Sequence, residues 1–153
     1  MTNPVTLRYM MRLDVLAVHE IEKMSFSHPW TVGDFIRCGR EKHYISVVAE
    51  IADEVVGYMI YDVHKHFLDL LNFAVHPDVR RCGIGMMMID KIKDRLSKGP
   101  RDRVMMEISE TNLHGQLFFR SMGFKATSVV RGCFGDGGDA YLMKYMVQDK
   151  VVA

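Results

Sequence analysis

The sequence predicts a single α/β domain in which a mixed, mostly antiparallel sheet of about seven strands is flanked by about four helices. Runs rich in β-branched and aromatic residues alternate with segments whose apolar residues recur at helical spacing. Short turns join neighbouring strand runs near both ends of the chain, which is typical of hairpins and of a mixed sheet. The length of 153 residues suits one domain, with a core from about residue 5 to residue 147.

The first part of the chain predicts a strand followed by a helix. The segment "VTLRYM" at residues 5–10 has the composition of a strand. An amphipathic helix follows, and its apolar face is predicted to consist of Leu13, Leu16, Ala17, Ile21 and Met24.

Thr31 and Asp34 resemble a capping box and predict a short second helix that stops before Gly39. Residues 44–63 are two β-rich runs that predict a hairpin turning at Asp53-Glu54.

The second part of the chain predicts four strands and two helices. In chain order they are a strand at 67–75, a helix from about 83 to 98, a strand at 104–109, a helix at 112–122, and strands at 124–131 and 140–147. The first of these helices is predicted to have Met88, Ile89, Ile92 and Leu96 on one face. The Gly-rich loop "GCFGDGGD" joins the last two strands.

Composition and charge exclude several classes of function. The formal net charge of +1 gives no basic field for nucleic acid. No apolar run approaches the roughly 18 residues of a membrane span, and the N-terminus lacks the apolar core of a signal peptide. The three cysteines have no metal-type spacing. We therefore expect reduced thiols, a cytoplasmic location and no bound metal, nucleic acid or membrane.

The segment "VRRCGIGMMM" at residues 79–88 places two glycines, Gly83 and Gly85, at the start of a predicted helix. Glycine inside a helix costs about 1 kcal/mol relative to alanine, so this turn is predicted to need bare backbone. A strand-to-helix turn favours an anion through free N–H groups and the helix dipole, and Arg80 and Arg81 add positive charge. A tight turn without a ligand is the alternative.

Two common phosphate motifs do not fit this segment. A P-loop requires Lys and Ser or Thr after its last glycine, where Met86 and Met87 stand. A dinucleotide fingerprint requires a third glycine at position 88, which is methionine.

The remaining pattern, Arg-x-x-Gly-x-Gly at residues 80–85, resembles the pyrophosphate-binding signature of the GCN5-related N-acetyltransferases (GNAT), which hold coenzyme A there. The segment "NLHGQLFFRSMGF" at 112–124 resembles the family's N-x-x-A…Y-x-x-x-G-F segment, which packs on the pantetheine and thiol end. "FSHPWT" at 26–31 is similar to a segment of the ribosomal-protein-alanine N-acetyltransferases. The resemblance covers residues 5–147 and implies the GNAT fold, one N-acetyltransferase domain over residues 1–153 and acetyl-coenzyme A as donor.

The same resemblance implies which residues bind the two substrates. The implied cofactor contacts are Phe73, Ala74, Val75, Arg80, Arg81, Cys82, Gly83, Ile84, Gly85, Met86, Asn112 and Phe119. Main-chain N–H groups of residues 73–75 would stabilise the oxyanion. Trp30 and Phe134 would line the acceptor side.

Glu107 is the candidate general base because it is the one carboxylate in the apolar run "VMMEIS". Strand alternation puts it on the face of Met105 and Ser109, and burial there would raise its pKa. In the family's N-terminal acetyltransferases a Glu at the matching strand position is the base. A solvated face is the alternative.

The general acid is left open by the sequence. Phe119 stands where the family usually has a tyrosine, and phenylalanine has no proton to donate. Ser121, Tyr141 or Cys133 could donate instead, or the thiolate could leave unaided because the pKa of a thiol is about 8.5.

The sequence thus predicts transfer of an acetyl group from acetyl-coenzyme A to a primary amine, preferably the N-terminal amine of a protein such as a ribosomal one. The last loop has Cys133 and Phe134 where the family often has tyrosines that hold a peptide. Acetylation of a small amine (a polyamine, amino acid or antibiotic) is therefore an alternative, and a non-catalytic acyl-coenzyme-binding module is another. Monomer and homodimer are both compatible with the sequence.

Overall fold

The computed structural model describes residues 3–133 and 138–147 and confirms the predicted fold class. Its elements are β1 (Val5–Tyr9), a 3-10 turn (Arg12–Asp14), α1 (Val15–Ser25), α2 (Val32–Arg40), β2 (Tyr44–Ile51), β3 (Glu54–Val63), β4 (Phe67–Val75), a second 3-10 turn (Pro77–Val79), α3 (Ile84–Lys98), β5 (Arg103–Ser109), α4 (Leu113–Ser121), β6 (Lys125–Val130) and β7 (Ala140–Met146). Within the described ranges, no helix is both long enough and apolar enough to cross a membrane.

The strands form one mixed sheet in the order β1-β2-β3-β4-β5-β7-β6. The pairs β1–β2, β2–β3, β5–β7 and β6–β7 are antiparallel. The β4–β5 pair is parallel, and its register runs from Phe67 opposite Arg103 to Leu70 opposite Met106. Glu107 is therefore the first residue of β5 beyond the part that pairs with β4.

The chain divides into two compact units. Unit 1 comprises Met1–Val63 and Leu71–Asp90, and unit 2 comprises His64–Leu70 and Lys91–Ala153. The buried cluster of unit 1 consists of Val15, Val18, Ile21, Phe35, Val48, Tyr58, Ile60 and Ala74. In unit 2, alternate residues of β5 are buried, namely Val104, Met106 and Ile108, as strand periodicity predicts.

Helix α1 forms where it was predicted, but of the five residues predicted for its apolar face only Ile21 is buried. Leu13 is 89% exposed and Leu16 is 70% exposed. The buried residues of α1 are Val15, Val18, Ile21 and Glu22. Because the buried side of α1 includes the carboxylate of Glu22, the pattern of apolar residues alone indicated a different side of the helix.

The predicted face of α3 is confirmed, since Met88, Ile89, Ile92 and Leu96 are all buried.

The capping box at the start of α2 is confirmed. The Asp34 N–H donates to Thr31 Oγ1 at 3.1 Å, and the Thr31 N–H donates to Asp34 Oδ2 at 2.8 Å. The helix continues to Arg40, so the predicted stop before Gly39 is wrong.

The β2–β3 hairpin turns one residue earlier than predicted, because the residues with left-handed backbone are Ala52 (φ 50°) and Asp53 (φ 66°).

Candidate active site

The turn before α3 holds two residues in left-handed backbone conformations. Arg81 has φ 65° and Gly83 has φ 81°. A non-glycine residue in this region costs roughly 1–2 kcal/mol, which the surrounding structure must offset. The Met87 N–H donates to the Gly83 carbonyl at 3.1 Å, so the N–H groups of residues 84–86 precede the first intrahelical donor. Groups at that position in a helix have no intrahelical acceptor and are suited to bind an anion.

Arg80 links this turn to two other elements of unit 1. Its Nε donates to the Val75 carbonyl at 2.9 Å, and its Nη2 donates to Ser25 Oγ at 3.2 Å. Both acceptors are neutral, so the positive charge of the guanidinium is not compensated by them. Beside it, the exposed Cys82 thiol donates to the Arg80 carbonyl at a long 3.7 Å. The cofactor contacts that the sequence predicts for Arg80 and Cys82 remain predictions.

The end of β4 contains the predicted oxyanion segment, residues 73–75. The Phe73 N–H donates to Asn72 Oδ1 at 2.9 Å, so that side chain already holds the first of the three predicted donors. A Cβ added to Gly57 on β3 would lie 3.2 Å from the Ala74 carbonyl and 3.3 Å from Met88 Cε. Gly57 therefore lets β3 pass close to this segment.

A buried polar cluster in unit 1 was missed by the sequence analysis. It consists of Glu22 on α1, Tyr58 on β3 and Asn72 on β4. Asn72 Nδ2 donates to Glu22 Oε1 at 2.6 Å and to Oε2 at 3.0 Å, and the Tyr58 hydroxyl donates to Oε2 at 3.1 Å. Glu22 is 1% exposed and Asn72 is 7% exposed. The only sequence signal was that Glu22 follows Val15 and Val18 at helical spacing.

The interior raises the pKa of the two acidic groups in this cluster. Desolvation raises the pKa of Glu22, and hydrogen bonds from Asn72 and Tyr58 oppose that effect. Desolvation also raises the pKa of the Tyr58 hydroxyl, and the negative charge of Glu22 raises it further. Tyr58 therefore stays a proton donor to Glu22 throughout the neutral range.

Trp30, which the sequence analysis placed on the acceptor side, is half-buried against the core of unit 1. Its ring centroid lies 5.3 Å from that of Phe35, which meets Tyr58 edge-on at 5.7 Å. Trp30 is thus connected to the polar cluster through this row of aromatic rings.

Glu107 lies on the exposed face of β5, so the burial expected for its carboxylate is not found. In the antiparallel register it lies opposite Leu142 on β7. Tyr141 lies opposite Ile108 and so belongs to the other face of the sheet. Desolvation raises the pKa of the Cys133 thiol, and the charge of Glu107 raises it further. Of the acid candidates, Cys133 therefore interacts electrostatically with Glu107 and stays protonated.

Two further predicted contacts lie on α4. Asn112 caps this helix, since its Oδ1 accepts the Gly115 N–H at 2.9 Å. Phe119 is 4% exposed, with ring centroids 5.1 Å from Phe118 and 5.3 Å from Phe124. The Ser121 hydroxyl donates to the Phe118 carbonyl.

Phe134, the other residue predicted on the acceptor side, lies outside the described residues. Within those residues, no group of three or more His, Cys, Asp or Glu side chains is placed to hold a metal ion.

The chain is similar in sequence to known N-acetyltransferases. It is 24% identical over 129 residues to the [ribosomal protein bS18]-alanine N-acetyltransferase of Salmonella typhimurium, covering 84% of this chain and 86% of the relative. It is 27% identical over 143 residues to the N-alpha-acetyltransferase of Sulfurisphaera tokodaii, covering 85% of this chain and 86% of the relative.

Solved structures share the fold. Ard1 from Thermoplasma volcanium matches with a TM-score of 0.87 and 24% identity, covering 95% of this chain and 99% of that one. Arabidopsis thaliana NAA60 in complex with acetyl-CoA matches with a TM-score of 0.83 and 16% identity, covering 94% of this chain and 99% of that one.

Likeness of fold alone does not assign the chain to a family, but a match to a family model does. The model of the acetyltransferase (GNAT) family matches residues 15–124, which include β4, the glycine turn, Glu107 and most of both units. The chain belongs to the acetyltransferase (GNAT) family.

Proposed function

We propose that this protein transfers the acetyl group of acetyl-coenzyme A to a primary amine, preferably the N-terminal α-amine of a protein such as a ribosomal one. The observation that carries the proposal is the left-handed turn at Arg81 and Gly83, which leads into the start of α3. The relatives named as N-terminal acetyltransferases support the choice of acceptor.

The residues of the turn fit the diphosphate of the coenzyme. Beyond its two chain neighbours, a Cβ added to Gly83 would meet no atom of the described residues within 4 Å, so bare backbone faces open space there. The amides of residues 84–86 are complementary to negative charge, and so is the guanidinium of Arg80, whose hydrogen-bond acceptors among the described residues are both neutral. Arg81 to Met86 would hold the diphosphate, and Phe73 to Val75 would lie along the pantetheine arm.

The protein's own groups have to activate the amine and stabilise negative charge on the acyl oxygen. The bound donor supplies an acyl group activated as a thioester. Glu107 would take a proton from the acceptor amine, directly or through water, and the backbone N–H groups of Ala74 and Val75 would stabilise the oxyanion. The departing thiolate would be protonated by Cys133 or would leave as it is, because a thiol with a pKa of about 8.5 is a tolerable leaving group near neutral pH.

We also propose that residues 1–153 act as one acetyltransferase domain in the cytoplasm. The family model supports the first statement because it spans residues of both compact units. The free thiols of Cys38, Cys82 and Cys133 support the second, because reduced cysteines are typical of that compartment.

The test is a substrate screen on the purified protein that measures thiol release from acetyl-coenzyme A. Peptides with different N-terminal residues are compared with the same peptides carrying a blocked N-terminus, and with polyamines and amino acids. We expect turnover only with free peptide N-termini, located by mass spectrometry of the product. Turnover restricted to small amines would overturn the acceptor assignment, and tight binding without turnover on any amine would establish a non-catalytic module.

A further inference from the structure

Glu22 is a buried carboxyl to which the proposed chemistry gives no role. It is 1% exposed. Its hydrogen-bond donors among the described residues are both neutral: the Asn72 amide and the Tyr58 hydroxyl. Burying a carboxylate without a cation is costly even when it is hydrogen-bonded, and an apolar side chain of similar volume is often the more stable choice. A contribution to stability alone is therefore a poor explanation for this residue.

The position of Glu22 offers a better explanation. The carboxyl group joins three segments that are distant in sequence, since Glu22 and Asn72 are 50 residues apart. On one side it accepts a hydrogen bond from Tyr58, whose ring packs on Phe35 and through it on Trp30, the residue predicted to line the acceptor site. On the other side it orients the amide of Asn72, whose Oδ1 accepts the N–H of Phe73.

The amide nitrogen and the amide oxygen of the Asn72 side chain make hydrogen bonds to different segments. Its Nδ2 donates to both oxygens of Glu22, while its Oδ1 accepts from the first residue of the proposed oxyanion segment. This fixes which way the amide is turned. A change at Glu22 would release the amide and, with it, the orientation of the peptide at Phe73.

We propose that Glu22 is a positioning residue for acyl transfer, which holds the Trp30 segment and the Phe73–Val75 segment in a fixed arrangement through Asn72 and Tyr58. This inference rests on the proposed function. It predicts that Glu22 affects the rate of the chemical step more than the affinity for the donor.

The test compares four forms of the full chain. Glu22→Gln replaces one accepting oxygen by a donor, so one of the hydrogen bonds from Asn72 and Tyr58 is lost. The double variant Glu22→Gln with Asn72→Asp exchanges donor and acceptor. The introduced glutamine amide then donates to the introduced aspartate, which still accepts the N–H of Phe73. Glu20→Gln is the matched control, because Glu20 is exposed on the same helix and pairs with Lys23 at the surface.

We expect Glu22→Gln to lower kcat by about 10- to 100-fold, because small misplacements of reacting groups have effects of that size. The KM for acetyl-coenzyme A should change less than about threefold. The double variant should regain most of the lost kcat, and Glu20→Gln should match the wild type. An unchanged kcat in Glu22→Gln, or a loss that the double variant does not regain, overturns the inference.

Amide hydrogen exchange provides a readout that does not depend on turnover. In Glu22→Gln, exchange should accelerate in peptides containing Trp30 and Phe73–Val75 but not in those from β6, and the double variant should reverse the change. Uniform acceleration, as expected for a merely structural role, would contradict the inference. A wild-type protein without turnover on any amine would overturn the proposed function instead, and the exchange result would then test only whether Glu22 holds the Trp30 and Phe73–Val75 segments.

Discussion

A Cβ added to Gly115 would lie 2.7 Å from Nδ2 of Asn112, so the bare Cα of Gly115 packs directly on the side chain that caps α4. The same Cβ would lie 2.7 Å from Cδ1 of Ile108. The family pattern that the sequence resembles has alanine at this position. Here the cap and the strand side chain occupy the space that a methyl group would need.

Gly115→Ala should therefore destabilise the protein although alanine favours helices. The gain in helix propensity is about 1 kcal/mol, whereas overpacking of a filled site costs typically about 1–3 kcal/mol. We expect the free energy of unfolding to fall by about 1 kcal/mol, as measured by urea denaturation. Gly39→Ala is the control, because a Cβ on Gly39 in α2 meets nothing within 4 Å. It should raise stability by about 0.5–1 kcal/mol. Equal effects at the two positions would contradict the packing argument.

Substitutions of Gly83 should separate backbone strain from ligand binding. Alanine at φ 81° should cost roughly 1–2 kcal/mol of stability, and asparagine should cost less because it tolerates this region. If the turn holds the diphosphate, both variants weaken binding of acetyl-coenzyme A in calorimetry, because both add a Cβ where the ligand would approach.

Gly132→Ala is the matched control for this experiment. Gly132 also has a positive φ of 63°, and a Cβ there meets nothing within 4 Å. We expect a similar loss of stability without a loss of affinity. If the Gly83 variants bind acetyl-coenzyme A normally, the turn does not have its assigned role.

Glu107→Gln should lower kcat by about 100-fold, the typical contribution of a general base. Stability should barely change because the side chain of Glu107 is exposed. Glu110→Gln replaces an exposed carboxylate three residues further along the chain and should leave the rate unaltered. A normal rate in the Glu107 variant would remove this residue from the mechanism.

The ion pair between Arg8 and Asp14 should make stability depend on pH in the acid range. Arg8 Nη1 and Nη2 donate to the two oxygens of Asp14 at 2.8 and 2.9 Å. These bonds are the main reason that the pKa of Asp14 is lowered below its usual value. The unfolded chain therefore binds this proton more readily than the folded one. The stabilisation is complete above the unfolded pKa of about 3.9 and disappears as the pH falls through the lower folded pKa.

Asp14→Asn should lower the free energy of unfolding near pH 7 by about 1–3 kcal/mol, the usual contribution of hydrogen bonds to a charged group. The difference from the wild type, measured by urea denaturation, should shrink as the pH falls through the acid range. Asp90→Asn, at an exposed position, is the control and should have little effect at any pH. A difference for Asp14→Asn that is independent of pH would contradict the ion-pair explanation.

The sequence predicted the elements well because strand alternation, helical periodicity and the Thr31 capping box are local signals. It failed where a long-range contact overrides the local pattern. The buried side of α1 contains Glu22, and the hydrogen bonds from Tyr58 and Asn72, which lie 36 and 50 residues further along, explain why a carboxylate is tolerated there. The exposure of Glu107 likewise depends on how the other elements cover β5, which periodicity does not show.

The arrangement of Arg80 has a practical consequence. Because its acceptors among the residues that the structure describes are a carbonyl and a hydroxyl, this guanidinium forms a fixed positive charge at the glycine turn. Any multivalent oxyanion in solution would compete for it, and ionic strength would screen it. Sulfate or inorganic phosphate buffers would then mask weak donor affinity, so binding is best measured in monovalent salt at low concentration.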